Sequence, residues 1–178
     1  MVWSLLINGA SVNARDNNGW TALYASAFSM HQEIAAMLIQ HGADINARAN
    51  DGTTPLHIVI RMRACLPGLL PPRVSRMVAF LIFSSGADVN CKALNGLTPL
   101  HEAIWYDDKN LVRMLLEGGA RTDIPNACGQ TPMDFAAAHP KLLTLLQRNG
   151  QSLDLRQHNA IPSMVRSAAI AIPLATRE

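Results

Sequence analysis

Apolar residues in this chain fall into short blocks with helical spacing, and clusters of polar turn formers separate the blocks. Ile34-Ala35-Ala36-Met37-Leu38-Ile39 and Leu111-Val112-Arg113-Met114-Leu115-Leu116 are two such blocks. Each soon reaches a glycine, the residue best suited to a left-handed C-terminal cap. Some way before each block stands a threonine followed by Pro-Leu or a close variant, as in Thr54-Pro55-Leu56-His57 and Thr98-Pro99-Leu100-His101. A threonine hydroxyl caps the orphan amides of a first turn, and proline at the first helical position gives up no hydrogen bond, so a helix is predicted to start at each. Asp16-Asn17-Asn18-Gly19, Asn50-Asp51-Gly52 and Asn95-Gly96 are turn sequences. The predicted unit is therefore helix, turn, helix and a projecting hairpin-like loop.

The unit recurs. Gly-Ala pairs at Gly9, Gly42, Gly86 and Gly119 are separated by 33, 44 and 33 residues, and a second series, Gly19, Gly52, Gly96 and Gly129, has the same steps in phase. After each glycine of the second series come one residue and a related tetrapeptide, Thr21-Ala22-Leu23-Tyr24 and Thr131-Pro132-Met133-Asp134 being the outer two. This 33-residue period and the Thr-Pro-Leu-His-x-Ala pattern, complete at Thr98 to Ala103, resemble ankyrin repeats. The expected fold is an all-α ankyrin-repeat solenoid. Units that cannot bury their apolar faces alone stack to make a core, and the stack leaves an elongated surface for docking.

The expected units are a partial one at 1–15, complete ones at 16–48, 49–92 and 93–125, and a shortened one at 126–150, followed by a tail at 151–178. Eleven extra residues in the second unit align at about 64–74, where Pro67-Gly68 and Pro71-Pro72 predict a surface loop rather than helix. That loop is either a partner contact carrying Leu66, Leu69 and Leu70 or a tolerated insertion. Met1 to Gly9 reads as a second helix without its partner, with Val2, Leu5 and Leu6 apolar. A capping unit should instead present a polar outer face, so the expectation is a fragment of a longer array or an end covered by something else. In the tail, Met164, Val165, Ala168, Ala169 and Ile172 form one apolar helical stripe between prolines.

In ankyrin proteins the partner touches the loop tips and the open side of each first helix. Carried onto this sequence, the resemblance implies a protein ligand held by the loop residues Asn17, Asn18, Trp20, Arg48, Asn50, Asp51, Thr53, Lys92, Leu94, Asn95, Leu97 and Gln130. On the helices it implies Phe28, Ser29, Arg61, Met62, Trp105 and Tyr106. Trp20, Trp105 and Tyr106 stand out because large aromatics anchor interfaces. The resemblance also implies structural hydrogen bonding for His57 and His101. It further makes Asn13, Asn46 and Asn90, each following Val or Ile, candidates for asparaginyl hydroxylation, with inter-loop hydrogen bonding as the alternative role. A second functional reading is a ubiquitin-ligase substrate adaptor with the tail as recruiting element, although Pro162-Ser163-Met164 is only faintly similar to the recruiting box and no Leu-Cys pair follows.

Composition narrows the rest. Fifteen Lys and Arg against thirteen Asp and Glu are scattered along the chain, which argues against a nucleic-acid partner. Cys65, Cys91 and Cys128 match no zinc spacing and read as reduced thiols of an intracellular protein, cytoplasmic or nuclear. Met1-Val2-Trp3-Ser4 lacks the features of a secretory signal, and no apolar run approaches the roughly 20 residues that span a bilayer. No nucleophile elbow, phosphate loop or metal motif occurs, so neither an enzyme nor a cofactor or metal is expected. Glu102, Asp107 and Asp108 read as solvated charges rather than a paired-carboxylate site.

Overall fold

The computed structural model describes residues 8–65 and 71–148. Residues 1–7 of the helix expected over Met1 to Gly9, Leu66, Leu69 and Leu70 of the insertion, and the tail expected as a recruiting element lie outside the described residues. Among those described there are eight helices and no strand: α1 (Ala22–Phe28), α2 (Gln32–Gln40), α3 (Pro55–Cys65), α4 (Pro71–Ala79), α5 (Pro99–Trp105), α6 (Lys109–Glu117), α7 (Pro132–Ala136) and α8 (140–148). None is long and apolar enough to cross a membrane.

The helices start where the tetrapeptides predict. Thr21, Thr98 and Thr131 sit in extended conformation just before α1, α5 and α7, as N-caps require. Ends follow the same local logic. Ala43 N–H donates to the Leu38 carbonyl at 3.0 Å and Ala120 N–H to Leu115 at 2.9 Å, closing α2 and α6 around left-handed Gly42 and Gly119.

Helices pair within units, α1 with α2, α3 with α4 and α5 with α6, while α1, α3, α5 and α7 pack in a row and α4 rests on α6. Leu23, Leu38, Leu56, Ile60, Met77, Leu81, Leu100, Ile104, Leu111 and Leu115 fill the resulting continuous core, with Leu142 and Leu146 of α8 closing it at one end. The loops stack as well. Leu94 N–H donates to the Asp51 carbonyl at 3.0 Å and Ala127 N–H to Asn95 at 3.1 Å. Glycine is needed beside each acceptor: with φ of +77° and +76°, a Cβ on Gly52 would lie 2.7 Å from Leu94 N and one on Gly96 2.4 Å from Ala127 N.

The insertion is more helical than the prolines suggest. α3 runs on to Cys65, eleven residues where α1 and α5 have seven, and α4 begins at Pro71 itself. The reading of Pro71-Pro72 as loop is corrected on this point, because proline is excluded from a helix interior but favoured in its first turn. Not all the extra residues sit between the helices. At the end of α4 a wide turn, Phe80–Ser84, carries the chain so that Ala87 N–H reaches back six residues to the Leu81 carbonyl, at 2.9 Å, instead of five. One added residue is absorbed there, which keeps Met77, Val78, Leu81 and Ile82 buried as Leu111, Val112, Leu115 and Leu116 are in the next unit, and puts Phe83 outside at 54% exposure.

Candidate protein-binding face

The residue three places after each capping threonine links its unit to the next. Thr54 donates from its backbone N–H to Nδ1 of His57 at 3.3 Å, and its hydroxyl lies 2.9 Å from the same nitrogen. Since Nδ1 accepts, the ring proton is on Nε2, which points at the Leu97 carbonyl of the following unit, 3.3 Å away. His101 repeats the arrangement with Thr98 and the Gln130 carbonyl, 3.1 Å from Nε2. In the first unit Tyr24 takes the position and its hydroxyl meets Thr53 Oγ1 at 2.8 Å. Burial pushes His57 down to about 4 and lowers His101 as well, so both rings are neutral structural links. The last unit has Asp134, which only closes the cap, its Oδ2 accepting from Thr131 N–H and Oγ1 at 2.7 Å each.

Asparagines tie the opposite ends of the units. Asn13 Nδ2 donates to the Gly42 carbonyl at 3.1 Å while its Oδ1 accepts from Asp44 N–H at 2.8 Å. Asn90 does the same with Gly119 and Arg121, at 3.2 and 2.9 Å, and Asn46 Oδ1 accepts from Asp88 N–H at 2.9 Å. Along the loop tips the Arg15 guanidinium donates to the Arg48 carbonyl and the Arg48 guanidinium to that of Lys92.

The sides of α1, α3, α5 and α7 turned away from the second helices form one face with the loop tips. At one end Trp20 stacks on Tyr24 and Phe28, with ring centroids 4.9 and 5.6 Å apart. In the middle Arg61 bridges two units: Nε and Nη2 meet Glu102 Oε1 at 2.8 and 2.7 Å, and Nη1 meets Asp51 Oδ2 at 3.2 Å. At the other end the Trp105 and Phe135 rings lie 6.2 Å apart, and Phe135 stands edge-on to His101 at 5.1 Å. A cavity of about 290 Å³ opens here, lined by Arg61, Leu97, Glu102, Trp105, Tyr106 and Phe135. On the second-helix side a wider groove of about 620 Å³ separates the start of α2 from Arg73, Arg76 and Met77 of α4.

This geometry has a counterpart among known families: the family model described as ankyrin repeats (3 copies) matches residues 1–74 and 72–157. The chain belongs to the ankyrin-repeat family. Ankyrin repeats are in general protein–protein interaction modules, and the family is typically non-catalytic. A comparison with curated proteins finds no match.

Placed on the ankyrin stack, the residues expected to touch a partner divide in two. Asn17, Asn18, Phe28, Ser29, Arg48, Asn50, Asp51, Lys92, Leu94, Asn95, Trp105 and Gln130 are exposed, and Trp20, Arg61, Leu97 and Tyr106 are half-buried on the same face. Two are corrected. Thr53 is fully buried, held by Asp51 Oδ1 at 2.5 Å and by the Tyr24 hydroxyl, because the neighbouring ankyrin unit closes over it. Met62 is 8% exposed, because α3 continues past it and turns it into the stack, whereas the shorter α1 ends before the equivalent Ser29.

Of the carboxylates, Asp107 is exposed as expected, while Glu102 and Asp108 differ from expectation. Glu102 is not solvated: its side chain is 4% exposed, and burial pushes it up to about 7 against the lowering effect of Arg61. It occupies the register position that holds Ile58 in the preceding unit and Phe135 in the following one, and this apolar company was the available signal of its burial. Asp108 caps α6 by accepting from Asn110 and Leu111 N–H at 3.0 and 3.1 Å and pairs with Arg63 at 2.9 Å. Asp107, at a positive φ of 50°, lies 3.6 Å from His139. Cys91 donates to Asp88 Oδ2 at 3.3 Å, and burial with that carboxylate raises its thiol to about 11, so it stays protonated. Among the described residues no group of three His, Cys, Asp or Glu gathers as a metal site would require.

Proposed function

We propose that the chain is a non-catalytic protein-binding module whose protein partner lies along the first-helix face and the loop tips. Trp105 carries the reading. Its indole is 71% exposed at the end of a helix whose buried side is already complete with Leu100, Ala103 and Ile104. Stacking of the units does not need this ring, and tryptophan is the side chain most enriched among interface anchors. Leu94 at 73% exposure and Phe28 at 39% extend the same apolar line, which a partner would cover.

A photo-crosslinking residue such as benzoylphenylalanine, placed at position 28, 94 or 105 of the full chain in cells, tests the reading. Adducts to one and the same protein are expected at all three positions and not at the exposed Arg113 of α6. Adducts that form equally well at position 113 would refute it. The Trp105→Ala variant should weaken capture by about 2 kcal/mol, the usual size of a tryptophan hot spot.

A further inference from the structure

Glu102 Oε2 is a buried carboxylate oxygen with no hydrogen-bond partner. The cause is geometric. Arg61 places both its Nε and its Nη2 on Oε1, at 2.8 and 2.7 Å, and commits Nη1 to Asp51 at 3.2 Å, so its fork never straddles the carboxylate. A carboxylate oxygen removed from water without a donor is costly, and such groups are scarce in folded proteins. The side chain that carries it is 96% buried and lines the cavity of about 290 Å³ bounded by Trp105, Phe135, Tyr106, Leu97 and Arg61.

We propose that this cavity is a specificity pocket for one lysine side chain of the protein partner, its ammonium donating to Glu102 Oε2 and its methylene stem lying against Trp105 and Phe135. The inference deepens the binding function proposed above and rests on it. Volume, wall and charge agree. The cavity, about 290 Å³, lies at the small end of the roughly 300–1,000 Å³ of small-molecule pockets and has room for one long side chain. Its aromatic wall attracts a cation through the negative faces of the rings and shelters an alkyl chain. Arg61, Glu102 and Asp51 together carry one net negative charge when both carboxylates are ionised, and an incoming cation cancels it.

Lysine is favoured over arginine for a geometric reason. A guanidinium gains most by spanning both oxygens of a carboxylate, but Oε1 already receives two bonds from Arg61. One free oxygen suits a compact donor, which is what an ammonium is.

The test uses the whole chain and three small probes: Nα-acetyl-lysine N-methylamide, its norleucine analogue and its arginine analogue, each titrated at a pH above about 7, where Glu102 is ionised, while the Trp105 indole N–H and the Glu102 carboxyl carbon are followed by NMR. The lysine probe is expected to shift both signals and to bind at least about tenfold more tightly than norleucine, as a charged hydrogen bond with a cation–π contact implies. Arginine should fall between them. E102Q should reduce lysine to the norleucine level, and W105A, altering a ring that is 71% exposed, should weaken both probes. Equal binding of lysine and norleucine, a lysine preference that survives E102Q, or no shift at Trp105 and Glu102 would overturn the proposal, the last showing that water alone serves Oε2. Such a failure leaves crosslinking at positions 28, 94 and 105 untouched, so pocket and binding face are judged separately.

Discussion

His57 turns Nε2 toward the carbonyl oxygen of Leu97, 3.3 Å away and forty residues later in the chain, while its Nδ1 caps the start of its own helix. One side chain therefore joins the local signal that starts α3 to the contact that stacks the next unit on it. Tyr24 with Thr53 and His101 with Gln130 repeat the device along the row of first helices.

Replacing His57 with leucine fills the space but leaves Thr54 N–H without a partner and the Leu97 carbonyl with Ala93 N–H alone, at 2.9 Å. A loss of about 1–3 kcal/mol is expected in urea unfolding, the usual cost of one buried orphan. A loss under about 0.5 kcal/mol would show that the ring contributes only packing.

Two buried groups act oppositely on stability as pH changes. His57 has a folded value of about 4 against an ordinary 6.5, so below 6.5 the unfolded chain takes up a proton that the folded one refuses. Its contribution is full above 6.5 and is lost as pH falls through 4. Glu102, at about 7 against 4.5, holds in the folded state a proton that the unfolded chain releases, so its contribution is full below 4.5 and is lost as pH rises through 7. Between about 4.5 and 6.5 the two slopes oppose each other, and E102Q should expose the histidine slope. Urea midpoints measured across that window should vary little in the parent chain and rise with pH in E102Q. Parallel profiles would show that the Glu102 carboxyl does not hold the proton.

Asn90 bonds to two atoms of the following unit and Asn46 Oδ1 to one backbone N–H. Asn90→Ala should cost about 1 kcal/mol, at the usual net value of such bonds. Hydrogen exchange offers the sharper check: the Arg121 amide should exchange faster in Asn90→Ala, with no change at Asp88. Unaltered exchange at Arg121 would remove the asparagine from the inter-unit contact.

Phe83 is mostly exposed in the wide turn that absorbs an added residue, so deleting it should let Ala87 close on Leu81 with the five-residue span seen at Ala43 and Ala120. The melting temperature of the deletion variant is expected to be unchanged or a few degrees higher, since an unneeded wide turn gives way to ordinary helix. A collapse in stability would show instead that the turn is required to seat α4 on α6.

Repeat phase, helix starts and helix ends were legible along the chain because they depend on neighbours within about four residues: a threonine cap, a proline in the first turn, a glycine at the last. The exposed loop and helix residues of the candidate face, Leu94 and Trp105 above all, could be placed from that phase alone. Thr53 and Met62 could not, since each looks polar or outward-facing within its own unit and is covered by a residue some thirty positions away or by the added length of α3, and for Glu102 the phase gave only the hint of its apolar register partners Ile58 and Phe135. The wide turn at Phe80–Ser84 was hidden for the same reason: glycine spacing counts added residues without saying where they go. By itself the sequence determined the unit and its period, both consequences of local backbone preference. Only the stacked structure decided which polar groups it encloses, because desolvation belongs to the surface that arrives from the next unit.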